Sequence, residues 1–241
     1  MLENKKLIIF DLDGTLLDSI GVWNEIDKDV IKAIGGNIEE DLDIGKRRDA
    51  ILAKFSKSPD VYLEYCGYLG EIYGSNFSKQ EIKDLRYSIA ERLLREEVDY
   101  KPFAEQVLKF LKSKGFRMMI GSTTNDYTID VYKNKNKNII LKAPFTEYFE
   151  AIYSKRAVQK IKPNPELHFK IMKENNLKPE ECLMIEDSLI GVQAATRAGI
   201  DTVVMYDKYS DSNREAINSL AKYNFNNFEE LLKTLKEELG E

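Results

Sequence analysis

The chain has 241 residues, 43% hydrophobic and 32% charged, with 36 basic side chains against 41 acidic ones and a net charge of −5. That composition fits a soluble globular protein of one large domain or a domain plus a smaller one, and its lack of a basic excess argues against a general nucleic-acid binder. The two cysteines, Cys66 and Cys182, stand far apart with no metal-ligand spacing, and no apolar run is long enough to cross a membrane.

The first predicted strand, over residues 6–10, carries the apolar run Leu7-Ile8-Ile9-Phe10 and ends in Asp11-Leu12-Asp13-Gly14-Thr15. Unpaired carboxylates are very costly inside a strand, so both acids belong at its C-terminal end, where open α/β sheets bind ligands. Because no separate apolar segment precedes this strand, the N-terminus does not read as a signal peptide, and a cytoplasmic location is expected. Trp23, Ile26, Val30 and Ile34 recur at helical spacing and predict a helix over 21–34 that Gly35-Gly36 ends. Helical periodicity continues over 47–56, 60–73 and 78–97 with no strand-like run, which reads as an all-helical insertion of about 80 residues.

Alternation returns after Tyr100-Lys101-Pro102. A helix is predicted over 103–114, a strand over 116–121 ending in Ser122-Thr123, and a further helix leading to Asn134–Asn138, which reads as a solvated loop. A weak strand over 149–153 and a helix over 165–175 follow; Pro163 and Pro165 precede that helix. The strand over 181–185 ends in Glu186-Asp187-Ser188, and helix 189–197, strand 202–205 and helix 228–239 complete the pattern. The order predicts a Rossmann-like, doubly wound parallel sheet of α/β class, built from 1–17 and 99–241 and interrupted by a helical cap over 18–98.

Three strand ends therefore carry Asp11 and Asp13, Ser122 and Thr123, and Glu186 and Asp187, while Lys162 stands before Pro163. Carboxylates, hydroxyls and a lysine make the set needed for metal-assisted phosphoryl transfer. Each has a plainer reading alone: Ser122 as a helix cap, Glu186-Asp187 as acids at a helix N-terminus, Lys162 as a surface lysine. His168 reads as a partly buried helical residue and Trp23 as packing of the cap or its hinge.

Taken together, Asp11-Leu12-Asp13-Gly14-Thr15, Gly121-Ser122-Thr123, Lys162-Pro163 and Ile185-Glu186-Asp187-Ser188 with Gly191 resemble the four motifs of the haloacid dehalogenase superfamily, in order over about residues 6–207. The chain is most similar to the helical-cap branch (subfamily I), which includes phosphoglycolate phosphatase and β-phosphoglucomutase-like phosphatases. The resemblance implies a Mg²⁺-dependent phosphatase acting on a small phosphomonoester, such as a sugar phosphate or similar metabolite, through an aspartyl-phosphate. Asp11 would be the nucleophile, and Asp13 the general acid and base, also giving its carbonyl to the metal. Ser122, the Thr123 amide and Lys162 would hold the phosphate. Asp187 would bind Mg²⁺, with Glu186 in its inner or second shell. A monomer is expected, a homodimer staying open, with no nucleic-acid or membrane partner.

Three other readings share the scaffold. A phosphomutase resembling β-phosphoglucomutase is weakened by Trp23, which stands where those enzymes carry a histidine. A non-catalytic phosphate-binding protein is weakened by the intact Asp11 and Asp13, and a dehalogenase proper by Asp13. Within the cap, Gly45-Lys46-Arg47-Arg48-Asp49 opens a helix with three basic residues, so Arg47 and Arg48 are candidate contacts to a second polar or anionic group on the substrate. Ser154-Lys155-Arg156 makes the approach to Lys162 basic.

Overall fold

A computed structural model describes residues 1–38, 44–55 and 57–241. The chain divides into two compact units, Met1–Asp18 with Val98–Glu241, and Ser19–Glu97.

The first unit is a six-stranded parallel sheet in the order β3-β2-β1-β4-β5-β6. Its strands are β1 (Leu7–Phe10), β2 (Arg117–Gly121), β3 (Ala151–Tyr153), β4 (Cys182–Glu186), β5 (Asp201–Met205) and β6 (Tyr223–Phe225). Every residue of β1 is buried, as a central strand covered on both faces requires. Side chains alternate across the sheet. Leu7 and Ile9 point into a core with Met119, Leu167, Ile171 and Met184. Phe10, on the other face, meets Phe149 edge-on at 5.9 Å between ring centroids. Strand order runs outward from β1 in both directions, so the C-terminal end of β1, between β2 and β4, is the topological switch point where such sheets place their ligand crevice. Register brings the three strand ends level, since Phe10 stands opposite both Ile120 and Ile185.

The helical unit is Ile20–Ala33, Ile44–Lys54, Val61–Ile72 and Lys79–Glu96. Its apolar stripes meet in a core that includes Val30, Ile31, Tyr65, Leu69 and Ile82. Asp60 caps the third helix by accepting from the Leu63 amide, and Ser78 with Glu81 forms a capping box on the fourth. The expected helix over 47–56 begins earlier, at Ile44, and its last residue, Ser56, lies outside the described residues. No described helix is long and apolar enough to cross a membrane.

Two expectations change. Asn134–Asn138 is not a solvated loop: Asn136 is fully buried, accepts from the Ile139 amide at 2.8 Å to cap a helix at Lys137–Lys142, and donates to the Val98 carbonyl at 2.9 Å. Composition reads as solvent exposure there, whereas an asparagine's two-sided amide suits a buried helix start. His168 is fully buried rather than partly so, and neither ring nitrogen has a partner among the described residues. Burial, and then the charge of Lys162, push its pKa down to about 3, so the ring is neutral.

Candidate active site

Asp11 follows β1 directly, and its amide still bonds to the Ile185 carbonyl at 3.0 Å, so the sheet fixes its backbone. Its carboxylate accepts from Lys162 Nζ at 2.6 Å. That lysine, nearly fully buried, also donates to Glu186 Oε1 at 2.8 Å. Glu186 Oε2 accepts from the Asp187 amide at 2.6 Å, the Ser188 amide at 2.8 Å and Ser188 Oγ at 3.1 Å. Both Glu186 oxygens are thus taken up in fixing Lys162 and the loop after β4. Gly191 is required for this arrangement, because a Cβ there would lie 1.5 Å from Glu186 Oε1.

Asp187 is held by Thr15, whose hydroxyl donates to Oδ1 at 2.6 Å. Gly14 permits the approach: its φ is +86°, in the region that favours glycine, and a Cβ there would lie 2.7 Å from Asp187 Oδ2. Asp13 accepts from Thr124 Oγ1 at 2.5 Å and from Tyr132 Oη at 2.7 Å. Ser122 is buried at the end of β2, its amide bonded to the Tyr153 carbonyl at 3.0 Å, and Thr123 follows it half-buried.

The electrostatics of this cluster call for a cation. Oxygens of Asp11, Glu186 and Asp187 lie within 4.8 Å of one another, and all three residues are buried. Burial is the largest influence on Asp11 and raises its pKa; Lys162 opposes this and Glu186 adds to it, leaving it at about 7. Burial and then the charges of Glu186 and Asp11 push Asp187 well above the ordinary carboxylate range. Burial works against the charge of Lys162, but Asp11 and Glu186 outweigh it and hold the ammonium firmly protonated. One lysine among three acids leaves an excess of negative charge, which a hard divalent ion bound by oxygen ligands would offset. With the Glu186 oxygens engaged, Asp11 and Asp187 are the carboxylates best suited to hold it.

The strand ends thus bring together Asp11, Lys162, Glu186 and Asp187, with Asp13 and Ser122 linked through Thr124. The cap arginines are placed differently. Arg48 is buried within the helical unit and donates to Asp27 Oδ2 at 2.9 Å, an internal ion pair rather than a group presented to a ligand. Arg47 donates to Tyr73 Oη at 2.7 Å and lies over that ring. Trp23, expected as packing, sits beneath the Arg86 guanidinium at 5.4 Å from the ring centroid. Sequence reasoning quoted Thr15 and Gly191 within the motifs without giving them a role, assigned none to Thr124, and passed over Tyr132. Thr15, Thr124 and Gly191 stand in or beside the motifs, where their hydroxyls and the missing side chain were available signals. Tyr132 lies on the Asp126–Asn134 helix with nothing in its spacing to distinguish it from core.

A family model described as haloacid dehalogenase-like hydrolase matches residues 8–205. A phosphoglycolate phosphatase of Colwellia psychrerythraea is 30% identical over 98% of this chain and 99% of its own. A phosphorylated carbohydrates phosphatase of Thermotoga maritima is 26% identical over 81% of this chain and 82% of its own. The crystal structure of a family hydrolase from Deinococcus radiodurans, with bound phosphate and sodium, superposes with a TM-score of 0.70 at 21% identity, covering 97% of this chain and 96% of that one, and so shares its fold.

Proposed function

Because the chain belongs to the haloacid dehalogenase-like hydrolases, we propose that it is a Mg²⁺-dependent phosphatase of small phosphomonoesters that works through a phosphorylated Asp11. The observation that carries this reading is the buried contact of Asp11 with Lys162 at 2.6 Å, beside a second acid, Asp13, held separately. Relatives named as phosphatases support it, and so does Asp13, which a dehalogenase does not need.

In this mechanism a free Asp11 oxygen attacks phosphorus in line. Lys162 neutralises charge on Asp11 and on the incoming phosphoryl oxygens, while Ser122 and the Thr123 amide hold those oxygens. Asp13 gives a proton to the leaving oxygen as the P–O bond breaks. It then takes a proton from the water that hydrolyses the aspartyl-phosphate, which restores both acids. Asp11, the Asp13 carbonyl and Asp187 would hold Mg²⁺, which supplies charge neutralisation on the transferring group. Glu186 keeps Lys162 and the Asp187 loop in place.

The test is Mg²⁺-dependent phosphate release across a panel of small phosphomonoesters, including β-glucose 1-phosphate assayed also for glucose 6-phosphate. Release from one member, lowered on the order of 10³-fold or more in Asp11→Asn, is the expected result. Glucose 6-phosphate with little free phosphate would make the protein a mutase. Silence across the panel with intact fold would leave a narrow substrate outside it or a protein that only binds.

A further inference from the structure

Resting on the reading of Asp13 as acid and base, we infer that Thr124 and Tyr132 are positioning residues for that group, and that Thr124 couples it to the phosphate ligand Ser122. Both oxygens of Asp13 are occupied: Oδ2 by the Thr124 hydroxyl at 2.5 Å and Oδ1 by the Tyr132 hydroxyl at 2.7 Å. The two donors come from different elements, Thr124 from the loop after β2 and Tyr132 from the helix at Asp126–Asn134. Tyr132 is fully buried, so core packing fixes where its hydroxyl lies. Two donors from a rigid frame define the plane of a carboxylate, which one donor leaves free to rotate.

The coupling follows from where one hydroxyl lies. Thr124 Oγ1 is 2.5 Å from Asp13 Oδ2 and 2.9 Å from Ser122 Oγ, so it touches both residues. A chain of two hydroxyls therefore joins the residue that would hold the phosphoryl oxygens to the residue that would protonate the leaving group. A phosphoryl oxygen drawn to Ser122 leaves the contact between Thr124 and Asp13 in place, so the acid stays oriented while phosphate is bound. Misplacement of a reacting group by about 1 Å costs on the order of 10²-fold in rate, so this hold affects turnover rather than substrate affinity.

The experiment measures kcat and KM on an alkyl phosphomonoester, with Mg²⁺, for the wild type, Tyr132→Phe, Thr124→Val, Thr124→Ser, Asp13→Ala and the double variant Asp13→Ala/Tyr132→Phe. Tyr132→Phe removes one hydroxyl and no packing volume. It is expected to lower kcat by about tenfold or more with KM within about twofold. Thr124→Val should do the same and Thr124→Ser should restore the rate. In the Asp13→Ala background the Tyr132→Phe change should add nothing, because the group it positions is gone. An unchanged kcat in both Tyr132→Phe and Thr124→Val, with an active wild type, overturns the positioning role and leaves the phosphatase reading standing. An equal loss in the Asp13→Ala background also overturns it, showing a structural role. A wild type that releases no phosphate from any ester overturns both. Should Tyr132→Phe not fold, the Thr124 pair decides, since loss in Val without rescue in Ser refutes the coupling.

Discussion

The α/β unit and the helical unit each bury a cluster of charges, and they are balanced in opposite ways. In the helical unit, fully buried Asp27 accepts from Arg48 at 2.9 Å and from Arg86 at 2.8 Å, and the Arg86 guanidinium also lies over the rings of Trp23 and Tyr62. Burial works against both arginines, but Asp27 outweighs it and raises both above their ordinary values. Both arginines there are held more firmly in their charged form by the acid between them. In the α/β unit, three buried acids share one lysine, and Asp11 and Asp187 are pushed toward the neutral form. Charges that stabilise one another build a fold, whereas charges kept in mutual conflict are available for a cation, a phosphate or a proton. The difference separates a structural ion cluster from a candidate reactive one more sharply than burial does, since both are buried.

The largest effect that would break this contrast is Asp27→Ala. It leaves two buried guanidinium groups without their acid, and such a loss costs about 3–5 kcal/mol. Urea unfolding should show that drop. A change within about 0.5 kcal/mol would mean that the helical unit relaxes to hydrate its arginines, and the contrast with the α/β unit would fail.

A smaller loss is expected from Gly191→Ala. Its Cβ would fall 1.5 Å from Glu186 Oε1, so the carboxylate must move and release Lys162. We expect about 2–3 kcal/mol of destabilisation, within the range for overpacking in a tight core, and a fall in turnover on the order of 10²-fold. Full activity with normal unfolding would show that Lys162 is held without Glu186.

The acids' conflict also fixes a pH dependence. Asp11 has a folded pKa of about 7 against an ordinary 3.8, so the folded state binds its proton more readily than the unfolded chain does. Its contribution to stability is therefore complete below about pH 4 and is lost as pH rises through about 7. Urea midpoints in chelator should fall over that window, and Mg²⁺ should lessen the fall by binding the folded state. A midpoint that rises across the window would contradict the placement of Asp11.

The sheet was legible because its strands carry near-continuous apolar runs that stop at polar residues, and each stop marks a strand end that register then aligns. The helical unit was legible from its stripes, and the absence of strands among its described residues agrees with them. What escaped sequence reasoning depends on pairing across distance. Arg48 reads as a surface cation because Asp27, its partner, stands 21 positions away on another helix. Tyr132 contributes a single hydroxyl to Asp13 across 119 positions, and an aromatic on a helix stripe gives no sign of where its hydroxyl ends. Asn136 was misread because lysines and asparagines around it suggest solvent. The short β6 and the helix at Arg214–Leu220 carry too few apolar residues to announce themselves.

The smallest effect sharpens the comparison most, because its sign is opposite to that of Asp27→Ala. Asp187→Asn keeps an oxygen to accept from Thr15, whose hydroxyl lies 2.6 Å from Oδ1. It removes a buried charge that Glu186 and Asp11 oppose. At pH 8 in chelator the variant should be more stable than wild type by about 1 kcal/mol, or about 2–4 °C in Tm for a chain of this size. Turnover with Mg²⁺ should fall sharply at the same time, the expected trade between stability and activity at a site under strain. Calorimetry decides the point. A lower Tm in Asp187→Asn would mean that Asp187 is held by favourable contacts as Asp27 is, and the two clusters would then be of one kind.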